Sequence, residues 1–251
     1  LKRFNTEFIP VDSEHFSIWS LLNNTNTKQI NKIYITASGG PFLNWTKNEM
    51  INPSAKSALN HPNWSMGNKI SIDSATLMNK VFEVIEAQRI FNIKKNKFKI
   101  LIHDKSYIHA IVNFNNGLSK ILTHDTNMEI PIFNTIYYNT NRSIKSNDVN
   151  FKILNNLDLK EVDTKRFPSV NILKLVPNKI SLFETVIVSA NDELVDMFLN
   201  KKINFNKIYL ILHKIINLKE FIKYKKKYPK NVNEITNLNS YVRLKTKALC
   251  I

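Results

Sequence analysis

Two spacings of apolar residues run through this chain, and the places where one gives way to the other mark its organisation. Period-two alternation over residues 32–36, 97–103, 106–114 and 118–123 predicts four strands. Asn115-Asn116-Gly117, between the last two, reads as a hairpin turn. The last three strands predict an antiparallel layer with helices on one face. Phe8, Ile9 and Val11 predict the end of a further buried strand. Spacings of three and four predict helices at 15–23, with Phe16, Trp19 and Leu22 inward, and at 53–60, 73–87 and 129–138. Pro131 falls in the first turn of the last of these, where it is tolerated. After a polar stretch at 141–168, helical spacing returns at 169–176, 180–200, 205–217 and 239–248, and 219–230 reads as a lysine-rich surface run. The expected fold is α/β. An α+β domain with a mainly antiparallel sheet and a flap near 61–67 spans 1–140, a linker spans 141–168, and an α-helical bundle spans 169–251.

The helix at 73–87 carries two stripes. Asp73 or Ser74 can cap it. Leu77, Val81, Val84 and Ile85 fall near one face, and Asn79, Glu83 and Glu86 fall on another. A carboxylate two turns into a helix, aligned with an amide and with a Ser near the helix start, is more ordered than the mixed Lys and Glu of a solvated face. An ordinary amphipathic helix is the plainer alternative. Just upstream, His61-Pro62-Asn63-Trp64-Ser65-Met66-Gly67 is loop-like, and Asn68-Lys69 leads through Ile70-Ser71-Ile72 to the helix.

Composition narrows the choice of partner. Of the 251 residues 43% are apolar, enough for a core, yet no apolar run approaches the roughly 18–20 residues of a membrane span, so no membrane partner is expected. The single cysteine, Cys250, excludes internal disulfides and a cysteine-based metal site, and fits a reducing compartment. The net charge of +16 favours phosphate, whether on nucleic acid, a membrane or a metabolite. The lysines are dispersed, however, and their excess alongside Asn and Ile reads as the bias of an AT-rich genome. A basic nucleic-acid-binding protein would show a clustered basic face with interleaved aromatics, and none is visible, so no nucleic-acid partner is expected. Only Gly39, Gly40, Gly67 and Gly117 occur.

Three stretches look chemical. Asp12 and Glu14 flank Ser13 at the end of the first expected strand, and alternation would point both carboxylates the same way, about 7 Å apart. Such a pair repels itself unless a cation sits between, or it lies in a solvated loop. Ala37-Ser38-Gly39-Gly40-Pro41 follows a strand and offers backbone N–H groups and a hydroxyl as an anion cradle, with a plain tight turn as the alternative. It matches neither a Walker loop nor a dinucleotide-binding glycine fingerprint. His103 and His109 lie within strands and are expected to be packed or edge residues rather than ligands. Together, Asp12, Glu14 and Glu83 could hold one Mg²⁺ or Mn²⁺ through oxygen. Ser38, Ser74, Asn79 and Lys80 could hold a phosphate. His61, Trp64 and Met66 could fold over the ligand and exclude water.

These stretches carry a family resemblance. PVDSEH at 10–15, SGGPF at 38–42 and HPNWSMGNKISIDSATLMNK at 61–80 resemble the 1-deoxy-D-xylulose 5-phosphate reductoisomerases of the non-mevalonate isoprenoid pathway, with weaker matches at 101–112, 127–132 and 189–193. The resemblance implies conversion of 1-deoxy-D-xylulose 5-phosphate to 2-C-methyl-D-erythritol 4-phosphate, by retro-aldol and aldol rearrangement and then reduction with NADPH. It implies Asp12, Glu14 and Glu83 as metal ligands. Substrate contacts carry over to Ser13, Ser38, His61, Ser74, Asn79 and Lys80, with Trp64 on a mobile flap. His61 and Lys80 join the metal ligands in the catalytic set. Gly67 and Met128 match positions near the nicotinamide. A homodimer is implied, and so is a bacterial cytoplasmic or plastid-type location.

The sequence also departs from the family. A preceding NADPH-binding domain with a glycine fingerprint is implied, and the 251 residues contain none, so the chain reads as the catalytic and C-terminal portion, with most of the cofactor site outside it. Val81 stands where the family has Gly, and is expected to crowd the helix beside Lys80. His124-Asp125-Thr126-Asn127 replaces an acidic-proline stretch on the nicotinamide side. A remnant that keeps the fold without turnover is the alternative these changes suggest.

Overall fold

The structure is a computed structural model that describes residues 4 and 6–250. By packing it divides into two units, Leu1–Ser38 with Glu86–Val162, and Gly39–Ile85 with Asp163–Ile251.

The first unit is built on a five-stranded sheet. Its strands are β1 (Ile30–Ala37), β2 (Phe98–Ile102), β3 (Ile108–Phe114), β4 (Ser119–Thr123) and the short β5 (Lys160–Glu161), in the order β4-β3-β1-β2-β5. β1 and β2 run parallel, Ile35 opposite Ile100, and the other three pairings are antiparallel. The sheet is therefore mainly antiparallel, as expected, but β2 and β3 are not neighbours, because β1 lies between them. A parallel pair needs a crossover, and residues 38–97 supply it. The hairpin at Gly117 joins β3 to β4, with Gly117 at φ +85. Ile33, Ile35, Ile100, Ile108, Ala110 and Val112 are buried in the sheet, and helix α1 (Ser13–Leu22) packs on β3 with Phe16 and Ile18 inward. The strand expected at Phe8–Val11 does not form: 6–11 is irregular, and Phe8 and Val11 are exposed.

The second unit is helical. It holds α2 (Ala55–Leu59), α3 (Asn68–Thr76) and most of α4 (Met78–Ile90), the last of which runs on into the first unit. The helix expected at 73–87 is thus two helices. Leu77 adopts φ +58 and divides them, the Thr76 hydroxyl accepts the Met78 N–H at 3.3 Å, and Leu77 itself is buried. Helix α3 begins at Gly67, so neither Asp73 nor Ser74 is a cap. Both lie inside it, because Ile72 and Ala75 give 68–76 a buried face of its own. Val81 is fully buried in α4 without interrupting the helix.

Four helices follow α5 (Glu129–Ile136) and the single turn α6 (Phe151–Leu154) of the first unit, and belong to the second: α7 (Phe183–Leu199), α8 (Phe205–Ile216), α9 (Lys219–Ile222) and α10 (Val232–Cys250). Val186, Ile187, Ala190 and Leu194 make α7 the core helix, packed by α8 and α10. Pro168–Lys174 is 3₁₀ rather than α. The lysine-rich run at 219–230 is anchored by the buried Phe221. The two units cut the chain differently from the expected consecutive split at 141–168, because the β1–β2 crossover packs with 163–251.

Candidate functional site

In the first unit, acidic chemistry gathers at the head of α1. Asp12 is the residue before the helix, and its carbonyl accepts the Phe16 N–H at 2.7 Å. Its exposed carboxylate lies 3.0 Å from Nδ1 of the buried His15. Ser13 is buried, and its hydroxyl donates to Glu14 Oε2 at 2.5 Å. Asp12 and Glu14 therefore share a helix N-terminus, whose partial positive charge favours anions, and not one side of a strand. The chain turns helical here because Phe16 and Ile18 have to reach the sheet. His15 also comes within 3.8 Å of Glu86 on α4, one turn beyond Glu83.

Next to this head lies a histidine pair that the pattern of the sequence did not single out. The rings of His109 and His124 stack at 3.7 Å and 12°. His109 Nε2 is 3.1 Å from the His124 carbonyl, and His124 Nδ1 is 2.6 Å from the Asp125 carbonyl. Burial pushes the His124 pKa down, opposed by the Asp125 carbonyl bond and the charges of Glu14 and Asp125. The only signal in the sequence was the departure from the family pattern at 124–127. His109 is a packed residue, as expected, and so is His103, whose Nδ1 pairs with the Leu157 carbonyl at 2.9 Å. Met128 is half-buried just before α5. Ser38, half-buried, directly follows β1.

In the second unit, the stripe read from the sequence does form on α4. The carboxylate of Glu83 is buried, with Lys80 Nζ at 2.8 Å from both oxygens and Asn79 Nδ2 at 2.5 Å from Oε1. Ser74 is half-buried in the last turn of α3, where its carbonyl accepts the Leu77 N–H. Gly40 closes on that turn: at φ +65, a Cβ there would stand 2.7 Å from the Ser74 carbonyl oxygen. The glycine turn thus sits against the carbonyl end of α3.

The flap segment organises around His61. Its Nδ1 accepts the backbone N–H groups of Asn63 at 3.1 Å and Trp64 at 3.0 Å. Burial, helped by the Lys80 charge, pulls the pKa of His61 down to about 4. The ring is therefore neutral at neutral pH, with its proton on Nε2. Trp64 is half-buried. Gly67 ends the segment, and its carbonyl accepts both the N–H and the hydroxyl of Ser71. A Cβ at Gly67 would meet nothing within 4 Å, so the space beside the backbone there is open.

Comparison with known proteins identifies the family. Residues 8–91 match the 1-deoxy-D-xylulose 5-phosphate reductoisomerase C-terminal domain, and residues 124–245 match the DXP reductoisomerase C-terminal domain. The chain is 60% identical to the 1-deoxy-D-xylulose 5-phosphate reductoisomerase of Pelagibacter ubique over all of its 251 residues, covering 65% of that protein. It is 33% identical to the Aquifex aeolicus protein of the same name, with 99% of this chain and 64% of that one covered. Among solved structures, a DOX-P reductoisomerase in complex with NADPH, fosmidomycin and magnesium superposes with a TM-score of 0.88 at 29% identity, over 99% of this chain and 64% of that one. The Zymomonas mobilis enzyme in complex with NADPH gives 0.85 at 32% identity, over 99% and 63%. The chain spans a little under two thirds of the length of these relatives.

Proposed function

Given that the chain belongs to the 1-deoxy-D-xylulose 5-phosphate reductoisomerase family, we propose that it is the metal- and substrate-handling portion of such an enzyme, converting 1-deoxy-D-xylulose 5-phosphate to 2-C-methyl-D-erythritol 4-phosphate with NADPH. In this reading residues 1–140 carry the ligands and residues 169–251 the helical support.

Asp12, Glu14 and Glu83 are the proposed metal ligands. The observation that carries this is His15, which holds Asp12 at 3.0 Å beside Glu14 and reaches Glu86 on α4, one turn from Glu83. Three carboxylates and no soft donor suit Mg²⁺ or Mn²⁺. The donor set fits in a second respect: Glu83 already balances a cation, the Lys80 ammonium. A bound ion would polarise the keto and hydroxyl oxygens of the substrate as the carbon–carbon bond breaks.

Each remaining residue has a part that follows from its own chemistry. Ser38, Ser74, Asn79 and Lys80 bind the phosphorylated substrate, Lys80 by charge and the others by neutral hydrogen bonds. The Ser13 hydroxyl holds the Glu14 carboxylate and faces substrate. Neutral His61 donates from Nε2, while Trp64 closes over the ligand and keeps water from the aldehyde. For NADPH, this chain offers Gly67 and Met128 at the nicotinamide, and the open backbone of Gly67 suits a flat ring.

The homodimer is proposed from exposed apolar side chains of the first unit, Leu118 and Ile121 at the edge strand β4 and Ile132 and Ile136 on α5. A bacterial cytoplasmic setting is proposed from bacterial relatives such as those of Pelagibacter ubique and Aquifex aeolicus. Among the described residues no helix is long and apolar enough to cross a membrane.

The test is emission from Trp64 in a Trp19→Phe, Trp45→Phe background, on adding Mn²⁺ and then fosmidomycin. A shift that needs the metal first is expected. A folded protein whose emission does not respond would overturn the reading.

A further inference from the structure

Asp73 has no role in the reading above, although it lies one residue before Ser74. It is 1% exposed, yet carries a carboxylate. That carboxylate receives Lys69 Nζ at 2.6 Å and the side-chain N–H of Asn191 at 2.8 Å. Asn191, on α7, is itself fully buried. Lys69 continues to Asp192 at 3.1 Å and lies 4.8 Å from the centre of the Phe82 ring. Arg243 on α10 reaches Asp192 at 3.1 Å and Glu193 at 3.5 Å, and Lys247 reaches Glu193 at 3.4 Å. The far side of this chain of charges is the 189–193 segment, which matches the family without supplying a ligand.

The arrangement is expensive on two counts. Burial pushes the Asp73 carboxyl up from its usual range, and Lys69 and Asn191 only oppose that shift. Lys69 is itself 46% exposed, so its attraction is partly screened by solvent while Asp73 bears the full cost of burial. Lys69 also stands in the first turn of α3, where the partial positive charge of the helix end disfavours a cation. What the cluster does supply is direction. It fixes α3 at two points one turn apart. One is the turn that begins where the flap ends at Gly67. The other is the turn that presents Ser74. The Asn191 amide donates to Asp73 Oδ1 and Lys69 approaches Oδ2, so each oxygen of the carboxylate is tied to a different partner.

We infer that Asp73 is a positioning residue, and that with Lys69, Asn191 and Asp192 it latches α3 to α7 so that Ser74 is held for the phosphoryl group and the flap has a fixed root. This rests on the proposed role of Ser74 as a phosphate ligand. The latch predicts a specific failure. Loosening it leaves the chain folded and the phosphate ligands chemically intact, but costs affinity because Ser74 is no longer held in place.

Inorganic phosphate is the probe, titrated calorimetrically at a temperature where circular dichroism reports every variant folded. Asp73→Asn keeps the shape and the Asn191 bond but loses the ion pair, and Asn191→Ala acts from α7, remote from the ligand. Each is expected to weaken phosphate binding about tenfold, the scale of a displaced contact, and to speed amide exchange across 68–76 while leaving α8 unchanged. Ser74→Ala is the control. If Ser74→Ala weakens binding and both latch variants stay within about twofold of the parent, the inference fails and the reading of Ser74 stands. If the parent takes up no phosphate, or Ser74→Ala has no effect, the reading of Ser74 fails and the inference falls with it.

Discussion

Lys80 Nζ sits 2.8 Å from both carboxylate oxygens of Glu83, and both side chains are buried. The ammonium does for Glu83 what a divalent ion would do, so removing it leaves a buried charge without its closest cation. Lys80→Met is therefore expected to destabilise the metal-free protein by about 3 kcal/mol, the usual cost of deleting one partner of a buried pair. Mn²⁺ is expected to stabilise Lys80→Met more than it stabilises the parent, because the metal then supplies the positive charge that the ammonium no longer does. Urea unfolding with and without Mn²⁺ measures both. Equal metal stabilisation of the two proteins would count against Glu83 as a ligand.

Glu14 offers a matching test from the first unit. Glu14→Gln keeps the size of the side chain and an acceptor for the Ser13 hydroxyl, but removes the charge. Mn²⁺ affinity is expected to fall at least about tenfold, as for the loss of one charged ligand, with little change in unfolding free energy because the half-buried amide keeps its hydrogen bond from Ser13. Electron paramagnetic resonance of free Mn²⁺ reads the affinity directly. An unchanged signal would remove Glu14 from the proposed set.

How far the sequence anticipated this arrangement depends on the distance over which each feature is decided. The α4 stripe of Asn79 and Glu83 was legible because i, i+4 spacing is local. The hairpin at Gly117 was legible for the same reason. The break at Leu77 was not, since a buried leucine in a left-handed conformation leaves no trace in periodicity. Nor could alternation reveal that β1 inserts between β2 and β3, because strand order is settled by packing across the crossover. Helix α10 starts at Val232 rather than near 239: Asn231 Oδ1 accepts the Glu234 N–H at 2.9 Å, and of the apolar residues in its first two turns, Val232, Ile235 and Leu238, only Leu238 is buried. In the site, the acidic pair was found for its chemistry and misread in its geometry. His15, which ties that pair to α4, was read only as the start of a helix.

His61 sets the acid limit of the flap. Its pKa is pulled down to about 4 by burial and by Lys80, against an ordinary value of 6.5. The unfolded chain therefore binds this proton more readily than the folded one, so stability from this group is complete above pH 6.5 and is lost as pH falls towards 4. Burial moves His103 and His124 in the same direction. Thermal midpoints are expected to drop between pH 6.5 and 4, and His61→Gln, which cannot titrate, is expected to flatten part of that slope. A titration of the His61 ring by nuclear magnetic resonance with its midpoint near 6.5 would contradict the burial argument.

Gly40 and Gly117 both have positive φ, +65 and +85, but only Gly40 is crowded. A Cβ at Gly117 meets nothing within 4 Å, so Gly117→Ala carries only the backbone penalty of about 1 kcal/mol. At Gly40 the Cβ would stand 2.7 Å from the Ser74 carbonyl oxygen, and backbone cannot swing away as a side chain can. Gly40→Ala is expected to cost about 2–3 kcal/mol in urea unfolding and to weaken phosphate binding through the displaced turn. Equal costs at the two glycines would mean that the turn and α3 do not press on each other.

The apolar edge of the first unit carries the last prediction. β4 is a terminal strand of the sheet and so presents unpaired backbone groups. Natural edges are usually guarded by charge, and Lys120 does guard this one in part. Yet Ile121 is 48% exposed on the strand and Ile136 67% exposed on α5. Leu118 beside β4 and Ile132 on α5 are exposed as well, so this unit leaves four large apolar side chains in water. A second copy of the chain would cover it, and a stable interface of that kind buries about 800 Å² on each partner. Ile121→Lys with Ile136→Lys is expected to give a monomer in sedimentation equilibrium while leaving the unfolding midpoint of the monomer within a few degrees, since neither side chain belongs to the core. If the doubly substituted protein sediments with the mass of a dimer, the partner contact lies elsewhere and the exposed isoleucines need another explanation.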